Sequence, residues 1–206
     1  MKIYTSKIGP NPAALKNVVA LKNMDIPIEE IDLMGGENRG EAYLKINPAG
    51  QLPCLQTDSG AVIAEVAAIA EYLEELQPDP ILCGATAEER ALTRMRMRQI
   101  DYLILAPMMA GYRHCEGKDF FASRMRIDEA YGPPSKLIAG DGLAWLDKQI
   151  DGQTYLCGER LTYVDAAFVP LVGFLAKVSQ PLDPALTNIN AYMARLSEHE
   201  IIGKNK

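Results

Sequence analysis

Asn47-Pro48-Ala49-Gly50-Gln51-Leu52-Pro53-Cys54-Leu55 sets turn chemistry directly against a short apolar strand that a proline enters. An interior strand accepts proline only at its first residue or at a bulge, because proline has no N–H for the ladder. An X-Pro bond is also the one common place for a cis peptide. A cis bond before Pro53 would turn the Leu52 backbone outward, its N–H and C=O unpaired by the sheet. Those groups would be free to hold another extended chain, such as a small peptide.

The rest of the chain gives this stretch a setting. At 206 residues it suits one large domain or two small ones. A composition 48% hydrophobic and 23% charged is that of a globular protein able to bury a sizeable core. A net charge of −6 argues against nucleic acid or an anionic membrane as partner. No apolar run approaches the ~18 residues of a membrane span, and Met1–Thr5 lacks the apolar region of a signal peptide. Cys54, Cys83, Cys115 and Cys157 are widely spaced and form no CxxC pair. They read as reduced thiols of a cytoplasmic protein, with Cys54 a small buried hydrophobe, and His114 and His199 have no second ligand at metal spacing.

Taken in order, Lys2–Thr5 is a β-prone run, and Asn11-Pro12 reads as N-cap and first residue of a helix over Ala13–Asn23. Its Leu15, Val18, Val19 and Lys22 share one face. Ile26–Leu33 alternates like a half-buried strand, and Glu41–Ile46 reads as a short helix. Pro53–Gln56 and Ala61–Ala64 form a hairpin around Asp58-Ser59-Gly60, and a helix follows over Glu65–Leu76. This βαβ-ββα unit, residues 1–77, ends at Gln77-Pro78-Asp79-Pro80, the start of a linker over 78–86. From 87 to 206 the chain reads as all helix. A capping box at Thr86-Ala87-Glu88-Glu89 opens a long helix to Tyr112, kinked at Pro107. Further helices are expected over Ser135–Ile150, from a capping box at Thr162–Asp165 to Lys177, and over Thr187–Glu198.

Three local patterns fall in this frame: Asn47-Pro-x-Gly-x-x-Pro53-x-Leu55, Glu65-x-Ala-Ala-Ile69-x-x-Tyr72-Leu73, and Thr162-x-x-Asp165 after Leu156-x-Gly158. With their order and spacing, the chain resembles the cytosolic glutathione transferase superfamily along essentially its whole length. The resemblance implies a thioredoxin-like glutathione-binding domain followed by an all-helical second-substrate domain. It also implies glutathione as co-substrate, no metal, a homodimer, and a role in detoxification.

Carried over residue by residue, the resemblance makes Pro53 the family's cis-proline and Leu52 the residue whose backbone pairs with the cysteinyl part of glutathione, with Gln51 beside it. Glu65 matches the acidic residue at the γ-glutamyl end. The serine that follows in the family is Val66 here, whose N–H at a helix start can still hold a carboxylate. Asn38 and Arg39 match residues that reach the glycyl carboxylate. At the catalytic position the family's Ser, Thr or Cys before Pro-Asn is replaced by Gly9. Asn11 and Ser6 (with Thr5 adjacent) are therefore the candidate donors to the sulfur, against bland readings as helix cap and loop hydroxyl. The second-substrate pocket is expected at Met108, Tyr112 and Arg113, which as sequence are equally good core residues. The expected activity is attack of a glutathione thiolate on a small hydrophobic or aromatic electrophile. The alternative is a non-catalytic ligand- or protein-binding module, which the losses at Gly9 and Val66 favour.

Overall fold

A computed structural model of the chain describes residues 1–204. The first part runs β1 (Lys2–Thr5), α1 (Pro10–Leu21), β2 (Ile28–Glu30), α2 (Glu41–Ile46), β3 (Cys54–Gln56), β4 (Val62–Ala64) and α3 (Val66–Leu76). The strands form one sheet in the order β2-β1-β3-β4. β1 runs parallel to β2, with Ile3 opposite Ile28, and antiparallel to β3, with Ile3 opposite Leu55. The second part is helical: α4 (Ala87–Ile100), α5 (Ala106–His114), α6 (Lys118–Phe121), α7 (Gly132–Gln149), α8 (Tyr163–Leu175) and α9 (Thr187–Ser197). The fold is thus a thioredoxin-like unit followed by a helical bundle, as the patterns imply. The Leu52-Pro53 bond is cis, and so is Asp79-Pro80 in the linker.

α8 is buried on all sides, as a helix apolar all round must be. Its start hangs on Asp165, whose side chain is completely buried and accepts from four donors. These are the Leu156 N–H at 2.9 Å, the Thr162 N–H at 2.8 Å, the Thr162 hydroxyl at 2.9 Å and the Tyr192 hydroxyl at 2.8 Å. Burial pushes this carboxyl upward in pKa, and the four donors oppose the shift. α1 packs on α8, and the Asn17 amide donates to the Ala166 carbonyl at 3.0 Å. Lys22, which spacing puts on the buried face of α1, is fully buried. Its ammonium donates to Glu74 at 2.5 Å and to the carbonyls of Gln77, Pro78 and Pro80 at 2.8, 3.2 and 2.7 Å.

Several expectations change. α1 begins at Pro10 with Gly9 as its cap, so Asn11 sits inside the first turn and is not the N-cap. Gly9 takes φ 105°, open to glycine, which lets the helix start one proline earlier. β2 is confined to three exposed residues; Ile26 and Ile31 carry the burial on either side of it, and Pro27 has no N–H for a ladder. At the Thr86 cap the Glu89 N–H reaches the threonine hydroxyl at 3.1 Å, but the Glu89 carboxylate accepts from Ala85, one residue further back than a capping box has it.

The long helix after residue 87 is not simply kinked at Pro107. It widens over Asp101–Leu105 into a π turn, in which the Ala106 N–H reaches the Asp101 carbonyl five residues back. Pro107 has no N–H for the Leu103 carbonyl, and its ring would crowd it. That carbonyl instead packs against Gly142 of α7, where an added Cβ would stand 2.1 Å from the Leu103 oxygen. Alanine ordinarily improves on a helical glycine by about 1 kcal/mol. Here Gly142→Ala is predicted to destabilise by about 1–3 kcal/mol, the cost of overpacking. Thermal unfolding would read this as a lower Tm; an unchanged or higher Tm would refute the close approach of α7 to the π turn.

Candidate active site

The loop after β1, the turn before β3 and the start of α3 face the π turn, α5 and α6 across a cleft of about 620 Å³. Ser6, Asn11, Arg39, Gln51, Leu52, Glu65 and Arg113 all line it, so most of the expected site residues come together. Pro53 and Val66 lie buried just behind the wall. Met108 is fully buried in the core, and its neighbour Met109 faces the cleft instead. Tyr112 does not line the cleft either. Its ring stands edge-on to Phe121 at 5.8 Å and to Phe174 at 5.9 Å, so it supports a lining residue.

The turn that presents Leu52 is braced on three sides. The Gln51 carbonyl accepts from the Tyr43 hydroxyl at 2.7 Å and the Asn47 amide at 3.0 Å. The Asn38 amide donates to the Gly50 carbonyl at 2.7 Å. Cys54, behind it, is fully buried with its sulfur 3.4 Å from the Tyr43 hydroxyl, and burial pushes its pKa up. Burial likewise takes Cys83 to about 12 and Cys157 to about 11. None of these three thiols is set up as a nucleophile.

The start of α1 has an unusual donor set. The first four N–H groups of a helix have no partner inside it. Here Pro10 and Pro12 have no N–H, and the Ala13 N–H closes onto the Gly9 carbonyl at 3.4 Å. Asn11 therefore supplies the one open main-chain donor of this turn, together with its side-chain amide. Ser6 is differently placed: its hydroxyl proton is given to the Ile8 carbonyl at 2.7 Å, which ties the loop before α1.

Glu65 caps α3 with φ 71° and ψ 125°. A non-glycine residue held there costs about 1–3 kcal/mol, and such strain gathers at functional sites. Beside it, Asp101 of the π turn was not foreseen; periodicity does not announce a π turn. Burial first, and the charge of Glu65 after it, take the Asp101 carboxyl to about 6, against the opposing pull of Arg98. Three further arginines, Arg39, Arg113 and Arg124, line the cleft. Arg124 stacks on Phe120 at 3.8 Å and donates to the Leu33 carbonyl at 3.2 Å, bridging the two halves. Burial lowers the pKa of both Arg113 and Arg124, and the charge of Arg39 lowers both further. Phe120, Phe121 and Arg124 lie in a segment that reads as polar and mixed, and their spacing carries no separate signal. Among the described residues no His, Cys, Asp and Glu cluster could hold a metal. Among the described residues no helix is long and apolar enough to cross a membrane.

Comparison with known proteins agrees with this geometry. Residues 12–76 match the glutathione S-transferase N-terminal domain and residues 138–195 the C-terminal domain. The chain is 25% identical to glutathione S-transferase 2 of Saccharomyces cerevisiae, over 99% of this chain and 88% of that protein. It is 40% identical to a maleylacetoacetate isomerase of Rattus norvegicus, over 89% of this chain and 82% of that one. The crystal structure of Gtt2 from Saccharomyces cerevisiae superposes with a TM-score of 0.93 at 25% identity, over 100% of both chains. A glutathione S-transferase domain-containing protein of Marinobacter aquaeolei does so at 0.91 and 27% identity, over 98% of this chain and 100% of that chain. With both halves matched, and a cleft between them where the family's motifs converge, the chain belongs to the glutathione S-transferase superfamily.

Proposed function

We propose that the protein binds glutathione in this cleft and ionises its thiol for attack on a small electrophile. The observation that carries the reading is the Asn11 donor pair at the start of α1, on the same cleft as Leu52. The Leu52 backbone pairs with the cysteinyl unit. Arg39, with Gln51 beside it, takes the glycyl end. Glu65, Asp101 and the Val66 N–H take the ammonium and carboxylate of the γ-glutamyl end. That placement leaves the sulfur at Asn11. A thiol of pKa ~8.5 is lowered there by a hydrogen bond and by the positive end of the helix. Asn11 is the better donor, because Ser6 must give up its bond to Ile8 to serve.

The electrophile enters from the side of Leu105, Met109, Phe120 and Phe121, apolar surface suited to a hydrophobic or aromatic compound. Several relatives named maleylacetoacetate isomerase favour a second reading, isomerisation. It starts from the same step: the thiolate adds reversibly to a conjugated double bond, the bond rotates, and the thiolate leaves. A homodimer fits the exposed Leu92, Met95 and Tyr102, which form an apolar stripe at helical spacing along α4 and the π turn.

Two measurements test this reading. Asn11→Ala should lower kcat/KM about ten- to a hundredfold, the worth of one hydrogen bond to a charged group. Ser6→Ala should lower it less, and glutathione affinity by calorimetry should change much less than turnover in both. A parent protein that binds glutathione yet turns over no electrophile would instead favour the non-catalytic module. The second measurement is pH dependence. Asp101 is neutral below about 6 and charged above it, so affinity for the glutathione ammonium should rise as pH climbs through that value. Asp101→Asn should flatten the rise; an identical pH profile would remove Asp101 from the site.

A further inference from the structure

The cleft contains positive charge that the protein itself leaves unbalanced. Among the described residues no carboxylate pairs with Arg39, Arg113 or Arg124, although acidic residues exceed basic ones and the net charge is −6. Arg39 has a distant carbonyl contact to Ala49 at 3.4 Å, and Arg124 has its carbonyl contact to Leu33. Arg113 has no hydrogen bond: its Nε is buried and unpartnered, and its guanidinium lies 5.5 Å from the Phe121 ring. A buried unpaired charge is costly, and an orphaned buried donor calls for an explanation. The two terminal nitrogens of Arg113 are not among the buried unpartnered atoms, and that edge of a guanidinium is a fork that a planar carboxylate completes with two parallel bonds.

We propose that the second substrate is an electrophile that bears a carboxylate, anchored by Arg113 with Arg124 on the same cleft, its conjugated or aromatic body against Phe120 and Phe121. This rests on the glutathione reading above and deepens it by naming the substrate class. Arg39 is left for the glycyl carboxylate. The bound anion relieves the repulsion between Arg39 and each of Arg113 and Arg124. Because it is absent before binding, the charge acts as a selection against neutral compounds.

The test compares 4-chloro-3-nitrobenzoate with its methyl ester, which lacks the charge. In both, the glutathione sulfur bonds to the carbon bearing chlorine. The C–Cl bond breaks, chloride leaves with the electron pair, and the thiol proton goes to solvent. Each kcat/KM is divided by the uncatalysed rate of the same compound. The wild type should prefer the carboxylate. Arg113→Met should reduce that preference about ten- to a hundredfold, mostly through the KM of the aryl substrate, with Arg113→Lys restoring part of it. Arg124→Met should reduce it less, and provides the test if Arg113→Met fails to fold. Equal wild-type turnover of acid and ester, or a preference unchanged in both Arg113→Met and Arg124→Met, overturns the inference. So does a loss of glutathione affinity in Arg113→Met larger than the loss of carboxylate preference, which would make Arg113 a glutathione contact. Calorimetry on the wild type separates the two levels. If glutathione does not bind, the parent reading fails and the inference falls with it; if it binds and the ester alone is turned over, only the inference fails.

Discussion

A buried ammonium governs how the two halves of this chain meet. Lys22 ends α1, has no exposed surface, and gathers Glu74 of α3 and the carbonyls of Gln77, Pro78 and Pro80 around its Nζ. Glu74 in turn accepts from the N–H groups of Leu82 and Cys83, both at 2.8 Å. The Leu82 carbonyl then accepts from the Tyr163 N–H at 2.9 Å, at the first residue of α8. A charge taken out of water is tolerated only when its partners are nearly ideal, so this relay has little freedom. It leads from the thioredoxin-like unit through the linker to the most buried helix of the bundle.

What the relay positions is the opposite end of α1. With its last turn clamped and its middle tied to Ala166, α1 presents its first turn to the cleft as a fixed object. Donors that are oriented in advance stabilise developing charge without reorganisation. The same holds for the turn at Leu52, braced by Tyr43, Asn47 and Asn38, and for the strained Glu65 at the start of α3. Three rigid pieces of backbone therefore face one space, while the charged side chains that differ in chemistry, Asp101 against Arg113 and Arg124, come from the helical half.

Much of this was legible in the residues because it depends on local chemistry. Proline and glycine punctuation placed the hairpin and the Pro53 turn. Spacing placed Lys22 on the buried face of α1, though nothing in a spacing says that an ammonium will be wholly enclosed by carbonyls distant in sequence. The local rule for N-caps put the start of α1 at Asn11-Pro12. The fold starts it at Pro10 instead, because Gly9 reaches a φ that other residues resist. The π turn at Asp101 could not be read at all: it requires Pro107 and Gly142, which only tertiary packing brings together. The same holds for the second-substrate wall. Met108 and Met109 are equivalent as letters, and the phase of the helix after the π turn decides which one faces the cleft.

Family membership fixes neither the reacting group nor the electrophile; the proposals for both rest on the residues that line this cleft. Gly9 at the head of α1 offers neither hydroxyl nor thiol, and Asn11 is the donor proposed in its place. The central claim is that this helix start ionises the glutathione thiol. The most direct measurement is the thiolate absorbance of bound glutathione as a function of pH. The midpoint for bound glutathione should lie at least one unit below that of the free thiol and move back toward it in Asn11→Ala. A bound thiol that titrates like the free one would contradict it.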